Sequence, residues 1–173
     1  MEFYIAQGIS IVTALVAILS MQLKNMKSIL IFQITANLLA ASTYFLLGGF
    51  SGAGISLIAI IQLIVMFFYN KKNTKPPLIV IGISIFLYVL YSILNFNTYL
   101  DLFPLLAALS FALGVAQTKP SIYRFYGLLN PLFWLVYDIF SGAYINVLMR
   151  IGIFTSALIA KIRLDGIFRK NKV

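Results

Sequence analysis

Residues 28–50 read SILIFQITANLLAASTYFLLGGF, and residues 121–143 read SIYRFYGLLNPLFWLVYDIFSGA. Each is an apolar run able to cross a hydrocarbon core of roughly 30 Å at about 1.5 Å per helical residue. Each also carries an Asn near its middle. Sliding the chain by 93 residues lays Ser28, Ile29, Phe32, Asn37, Leu39, Tyr44, Gly49, Ile58 and Ile60 on Ser121, Ile122, Phe125, Asn130, Leu132, Tyr137, Gly142, Ile151 and Ile153. That is nine identities in 33 positions without a gap. Coincident Ile and Leu mean little between two greasy segments. Asn on Asn, Tyr on Tyr and Gly on Gly at fixed spacing weigh more, with shared composition as the competing explanation.

The rest of the chain has the same character. Of 173 residues, 62% are hydrophobic and 10% charged, and the mean hydropathy is +1.01. Soluble domains run nearer half apolar and a quarter charged. The expected spans are Phe3–Met21, Ile29–Leu47, Ile55–Tyr69, Leu78–Leu94, Leu102–Ala116, Ile122–Phe140 and Ile145–Ile162, separated by KNMKS, GGFSGAG, NKKNTKPP, NFNTYLD, QTKPS and SGAY. Lipid cannot satisfy backbone amides, so the spans are helices. The first run follows Glu2 rather than a basic segment and reads as a retained helix.

Charge placement orients these spans. In a seven-span chain Lys24, Lys27, Lys71, Lys72, Lys75, Lys119, Arg124, Lys161, Arg163, Arg169, Lys170 and Lys172 fall on one side, leaving Arg150 as the exception. Glu2, Asp101 and Asp138 lie toward the other. The positive-inside rule then puts the N-terminus outside and the C-terminus in the cytoplasm. The net charge of +9 is therefore a topology signal, joined by contact with anionic lipid, and not a nucleic-acid footprint.

A step of four spans carries span two onto span six with the same membrane orientation. The fold class expected is all-α: a polytopic membrane protein of seven transmembrane helices, built as two parallel three-helix repeats around an inverting linker helix (3+1+3). Its parts are residues 1–70, a loop and linker over 71–95, residues 96–164 and a basic cytoplasmic tail over 165–173. Parallel repeats about an axis along the membrane normal are a known transporter plan.

Several chemistries are excluded. The sequence has no Cys and no His, which removes thiol nucleophiles, Cys/His metal sites and imidazole acid–base chemistry. It has no phosphate-binding GxxxxGK[ST] loop. Four dispersed carboxylates do not make a hydrolase or a two-metal centre. No enzyme activity, cofactor or metal is expected.

The segments YIAQGISIVTALVAI, TYFLLGGFSGAGISLIAIIQ, DLFPLLAALSFALGVAQ and WLVYDIFSGAYINVLMRIG resemble the YgjV family of bacterial inner-membrane proteins over nearly the full length. That family looks like a distant relative of the SWEET, SemiSWEET and PnuC transporters. The resemblance implies an inner-membrane location and suggests transport, although fold kinship alone is associational evidence. SWEETs bend gating helices with a proline in both halves. Here the hinge candidates Pro104 and Pro131 both lie in the second half, so a rocking hinge should be asymmetric, with Gly8 and Gly48-Gly49 as substitutes in the first.

Polar side chains within the spans are the candidate site. Asn37 and Asn130 sit at matched depth and must face the interior, either binding a polar solute or bonding a neighbouring helix. Trp134 and Tyr137 continue the Asn130 face at i+4 and i+7 and serve as cavity wall or as interface anchors. Gln33 and Gln62 add amides that need partners. Asp138 and Arg150 lack charged repeat mates (Phe45 and Leu57) and lie near the outer ends of spans six and seven. Lone ions there are costly, so a mutual pair is expected, acting as a gate or as a static tie. Asp101 suits a helix N-terminus. The function expected is a carrier of a small polar organic solute, sugar-, nucleoside- or vitamin-like, working by alternating access in the lipid bilayer. A homo-oligomer is compatible with it. The alternative is a non-transporting interaction or assembly protein of the membrane.

Overall fold

The computed structural model describes residues 2–46, 50–140 and 144–166. Its described residues form seven α-helices and one 3-10 turn: α1 Glu2–Gln22, α2 Met26–Leu46, α3 Phe50–Lys71, α4 Leu78–Leu94, the turn Tyr99–Asp101, α5 Leu102–Val115, α6 Pro120–Phe140 and α7 Tyr144–Asp165. By length and composition α1, α2 and α3 are each able to cross a membrane, and α4 and the Tyr99–Val115 run are shorter apolar helices. The outward faces carry large apolar side chains on every helix, among them Leu15, Leu38, Phe68, Phe86, Leu106, Leu132 and Leu158. In water such a surface would aggregate; in lipid it is the ordinary solvent-facing side.

Neighbours in the chain are neighbours in space. Helix α1 packs on α2, α2 on α3, α3 on α4, α4 on α5, α5 on α6 and α6 on α7, while α1 meets α7 and α3 meets α5. The seven helices therefore close into a ring. Small residues permit the tight approaches: a Cβ placed on Gly114 of α5 would lie 2.9 Å from the Tyr126 Cβ of α6. Buried Ala107, Ala112, Ala157 and Ala160 do the same along α5 and α7.

Helix α3 starts five residues before the span expected at Ile55. The GGFSGAG run looked like turn chemistry, yet Gly54 is helical because its bare face receives the Tyr91 ring, 2.8 Å from where a Cβ would stand. Gly48-Gly49, named as a substitute hinge, and the tail beyond Gly166 lie outside the described residues. Pro104 occupies the third position of α5, where the missing N–H would have had no helical partner. Pro131 stands inside α6 and is buried. It removes the donor that would meet the Gly127 carbonyl. Asp101 turns its carboxylate backward, accepting from the backbone N–H of Thr98 at 2.7 Å and Asn97 at 2.9 Å. Those two bonds hold its carboxyl below the usual value.

Two glycine substitutions separate close packing from spare room. Gly114→Ala drives its methyl into a Cβ fixed to the α6 backbone, and overpacking of this kind costs about 1–3 kcal/mol. At Gly127 the tight neighbours of the new methyl are the Met21 Sδ and Cε, each at 3.1 Å, the free end of a flexible side chain, while Ala157 Cβ stands at an ordinary 3.9 Å. Melting in detergent should fall clearly for Gly114→Ala and little for Gly127→Ala; the reverse order would place the tight contact elsewhere.

Candidate functional site

Inside the ring is a cavity of about 200 Å³ to which all seven helices contribute. Its wall includes Thr13 and Ala17 from α1, Gln33, Asn37 and Tyr44 from α2, Ser56 and Ala59 from α3, and Tyr88 from α4. Ala108 and Phe111 come from α5, Asn130 and Trp134 from α6, and Arg150 from α7.

Four of the residues singled out from sequence for solute binding meet there: Gln33, Asn37, Asn130 and Trp134. Asn130 donates Nδ2–H to the Ala107 carbonyl of α5 at 2.8 Å. Asn37 donates to its own helix, to the Gln33 carbonyl at 2.8 Å. The two Asn side chains thus both line the cavity but bond differently, one within its own helix and one across helices. Gln33 donates to the Ser20 hydroxyl at 2.8 Å, tying α2 to α1. Each bond of this type across helices contributes about 0.6 kcal/mol on average in a bilayer.

Two candidates lie elsewhere. Gln62 is outside the cavity wall and donates to the Ala112 carbonyl at 3.1 Å, joining α3 to α5 behind α4. Tyr137 is also outside the wall and sets its ring edge-on to Trp134, centroids 5.9 Å apart. That contact supports the indole rather than a solute.

Asp138 and Arg150 are adjacent. Arg150 Nε donates to Asp138 Oδ2 at 3.2 Å, with side-chain exposures of 21% and 3%. The guanidinium carbon also lies 4.8 Å from the Trp134 ring centroid, within cation–π range. Arg150 is therefore held on two sides, by an acid behind the wall and by an indole in it.

The opposite end of the ring is closed by a residue that charge counting assigns only to the basic side. Arg124 is 2% exposed, within the first turns of α6. It donates to the Met21 carbonyl at 3.1 Å and the Leu23 carbonyl at 2.6 Å, and it pairs with Asp165 at the end of α7. Lys161 reaches Asp165 at 3.6 Å and donates to the Ser121 carbonyl at 2.7 Å. Gln22 donates to Ser156 Oγ at 2.9 Å. The network ties α1, α6 and α7 together below the cavity. A clue existed: Arg124 falls on Ile31 in the 93-residue comparison, a charge without a charged mate, as with Asp138 and Arg150. Tyr88 was also missed. It is 2% exposed, lines the cavity, and its hydroxyl has no partner among the described residues.

An all-helical ring with an apolar exterior, internal ion pairs and a central cavity lined by apolar and some polar side chains is the architecture of a multi-helix membrane protein. More particularly, the chain belongs to the Imp-YgjV family of bacterial inner membrane proteins, whose model matches residues 4–166. Comparison with curated proteins and with solved structures finds no match.

The ion pair gives a double-mutant test. Breaking one partner of a buried pair costs about 3–5 kcal/mol, less where one member is partly exposed as Arg150 is. Asp138→Asn and Arg150→Met should each lower the detergent melting temperature, and the double variant should regain part of the loss. Additive losses would mean that the two charges act independently.

Proposed function

We propose that the protein is a membrane carrier for a small polar organic solute, bound mid-membrane in the central cavity between Gln33, Asn37, Asn130 and Trp134. The observation that carries this is the central cavity itself, with side-chain amides from α2 and α6 in its wall. A tightly packed assembly subunit has no need of such a space, and polar groups in hydrocarbon are otherwise consumed by helix–helix bonds. At about 200 Å³ the cavity is smaller than the usual 300–1,000 Å³ ligand pocket. It exceeds the roughly 150 Å³ that accommodates benzene. The solute is accordingly no larger than a single substituted ring.

In this reading the ring is two parallel repeats, α1–α2–α3 and α5–α6–α7, with α4 as the inverting linker. The cross-half contacts support it: α1 with α7 and α5 with α3 are the two members that a pseudo-twofold axis would exchange. Alternating access then requires a layer to open at each end in turn. The Arg124 network is the thick layer at the basic end, and the Arg150–Asp138 pair the thin one at the other. With the N-terminus outside, the thin layer faces out and Pro131 supplies the bend in α6. No phosphate-binding loop is present in the sequence, so movement is facilitative or coupled to an ion.

The absence of Cys makes single-cysteine variants straightforward. Thr98→Cys in whole cells should react with an impermeant thiol reagent, whereas Thr74→Cys should react only after the membrane is opened. Labelling of Thr74 alone would invert the orientation. For transport, purified protein is screened by thermal shift against monosaccharides, nucleobases and single-ring vitamins, and each stabilising compound is followed into proteoliposomes. Uptake should be abolished by Ala40→Trp, which fills the cavity. Uptake that survives the filled cavity would place the path elsewhere, and a panel without stabilising compounds or uptake would favour an assembly role.

A further inference from the structure

The unpartnered polar atoms of the cavity are sorted by kind along its depth. At mid-membrane both Asn37 and Asn130 direct Nδ2–H to a backbone carbonyl. A carbonyl only accepts, so this fixes which amide atom is which. What each leaves without a partner among the described residues is Oδ1, an acceptor. One turn of α6 further along, about 6 Å by helical rise, the cavity wall holds Trp134 with Arg150 against its ring. Arg150 uses Nε for Asp138, and its Nη1 and Nη2 groups have no partner among the described residues. Those are donors only, and they carry charge. Asp138 is 3% exposed and is not part of the cavity wall, which contains no carboxylate among the described residues. The ion pair is thus a dipole with its positive end toward the cavity. Tyr88, whose hydroxyl is unpartnered, completes the wall from α4.

We propose that the cavity selects a small monocarboxylate bearing an N–H or O–H donor at its far end. The acid meets the Arg150 Nη groups, and the donor meets the Asn37 and Asn130 oxygens. This rests on the reading of the cavity as a solute site and adds the solute's chemistry to it. A planar guanidinium takes a carboxylate through two parallel bonds, each stronger than the bond a neutral amide would make. The two bonding levels are one helical turn apart, the span of one six-membered ring substituted at opposite corners. Trp134 and Phe111 provide apolar contact for such a ring.

The test is calorimetric titration of the purified full-length protein with 4-hydroxybenzoate, 4-hydroxybenzamide and benzoate. The first two match in shape and differ in charge; the third lacks the far donor. The acid should bind at least about tenfold more tightly than its amide, and benzoate should fall between them or below both. In the charge-neutral double variant Asp138→Asn, Arg150→Gln the acid and the amide should become equal. The double variant avoids leaving Asp138 alone and buried, and its melting curve reports whether it is folded. Equal affinities in the unsubstituted protein, or a preference for acid that persists in the double variant, would overturn the proposal. If acid and amide bind equally and Ala40→Trp abolishes both, the cavity remains a solute site and only the acid assignment falls. Silence of all three probes would overturn the acid assignment, and the carrier reading would be decided by the uptake panel.

Discussion

Arg124 holds the ring closed. A guanidinium that is 2% exposed in a chain this apolar must have all of its charge answered by protein. It draws its answers from the two other helices of the seam: the Met21 carbonyl in the last turn of α1 and the Leu23 carbonyl just past it, and Asp165 at the end of α7. An uncompensated ion in such a place costs several kcal/mol. Helices α1 and α7 are the two ends of the described chain, and no loop connects them. The seam that turns a row of helices into a ring is made by side chains, with Ser156 Oγ donating to the Ile18 carbonyl at 2.9 Å along the same line. Without that seam the cavity would open sideways to lipid.

The bilayer decides the rest by the same rule. Every polar group inside must be spent, on a helix–helix bond or on something that enters. The Nε2 group of Gln62 and the Nδ2 group of Asn130 are spent on carbonyls of α5. Ser110 and Thr13, both in the cavity wall, are spent on the turn that precedes each of them. What remains in the cavity wall includes the amide oxygens of Gln33, Asn37 and Asn130, the Tyr88 hydroxyl and the outer groups of Arg150, while Gln62 Oε1 and Thr43 Oγ1 stay buried outside it, unpartnered among the described residues. Function, on this account, is what the polar residues have left after the fold has used them.

Much of the architecture was legible in sequence because hydrocarbon thickness and helical rise leave little choice. Helix α4 runs Leu78–Leu94, as its apolar run and the flanking prolines require. Helix α3 was misjudged at its start because glycines carry two meanings: they make turns, and they make room. Only the position of Tyr91 tells which applies at Gly54. The site was half legible. Depth in the membrane marked Asn37, Asn130 and Arg150 as residues of consequence, since depth is counted along the chain. Direction is not, and so Gln62 and Tyr137 could not be separated from the wall-forming residues without coordinates. Arg124 was hidden by the positive-inside rule, which counts bases per side and does not ask whether each one is wet. Asn130 differs from Asn37 through Pro131, whose effect on α6 is visible in the sequence, but the bond to Ala107 that accompanies it is not.

The central claim is that the polar face of α6 looks into a wet cavity and not into lipid, and Trp134 can report on it directly because it is the single Trp of the chain. An indole near a helix end is equally at home as an interfacial anchor, so its surroundings discriminate. The measurement is quenching of Trp134 emission in proteoliposomes by aqueous acrylamide and, separately, by lipids brominated along their acyl chains. Acrylamide should quench the emission strongly and brominated lipid weakly. Strong quenching by the lipid with none by acrylamide would place the indole against the acyl chains and not in the cavity.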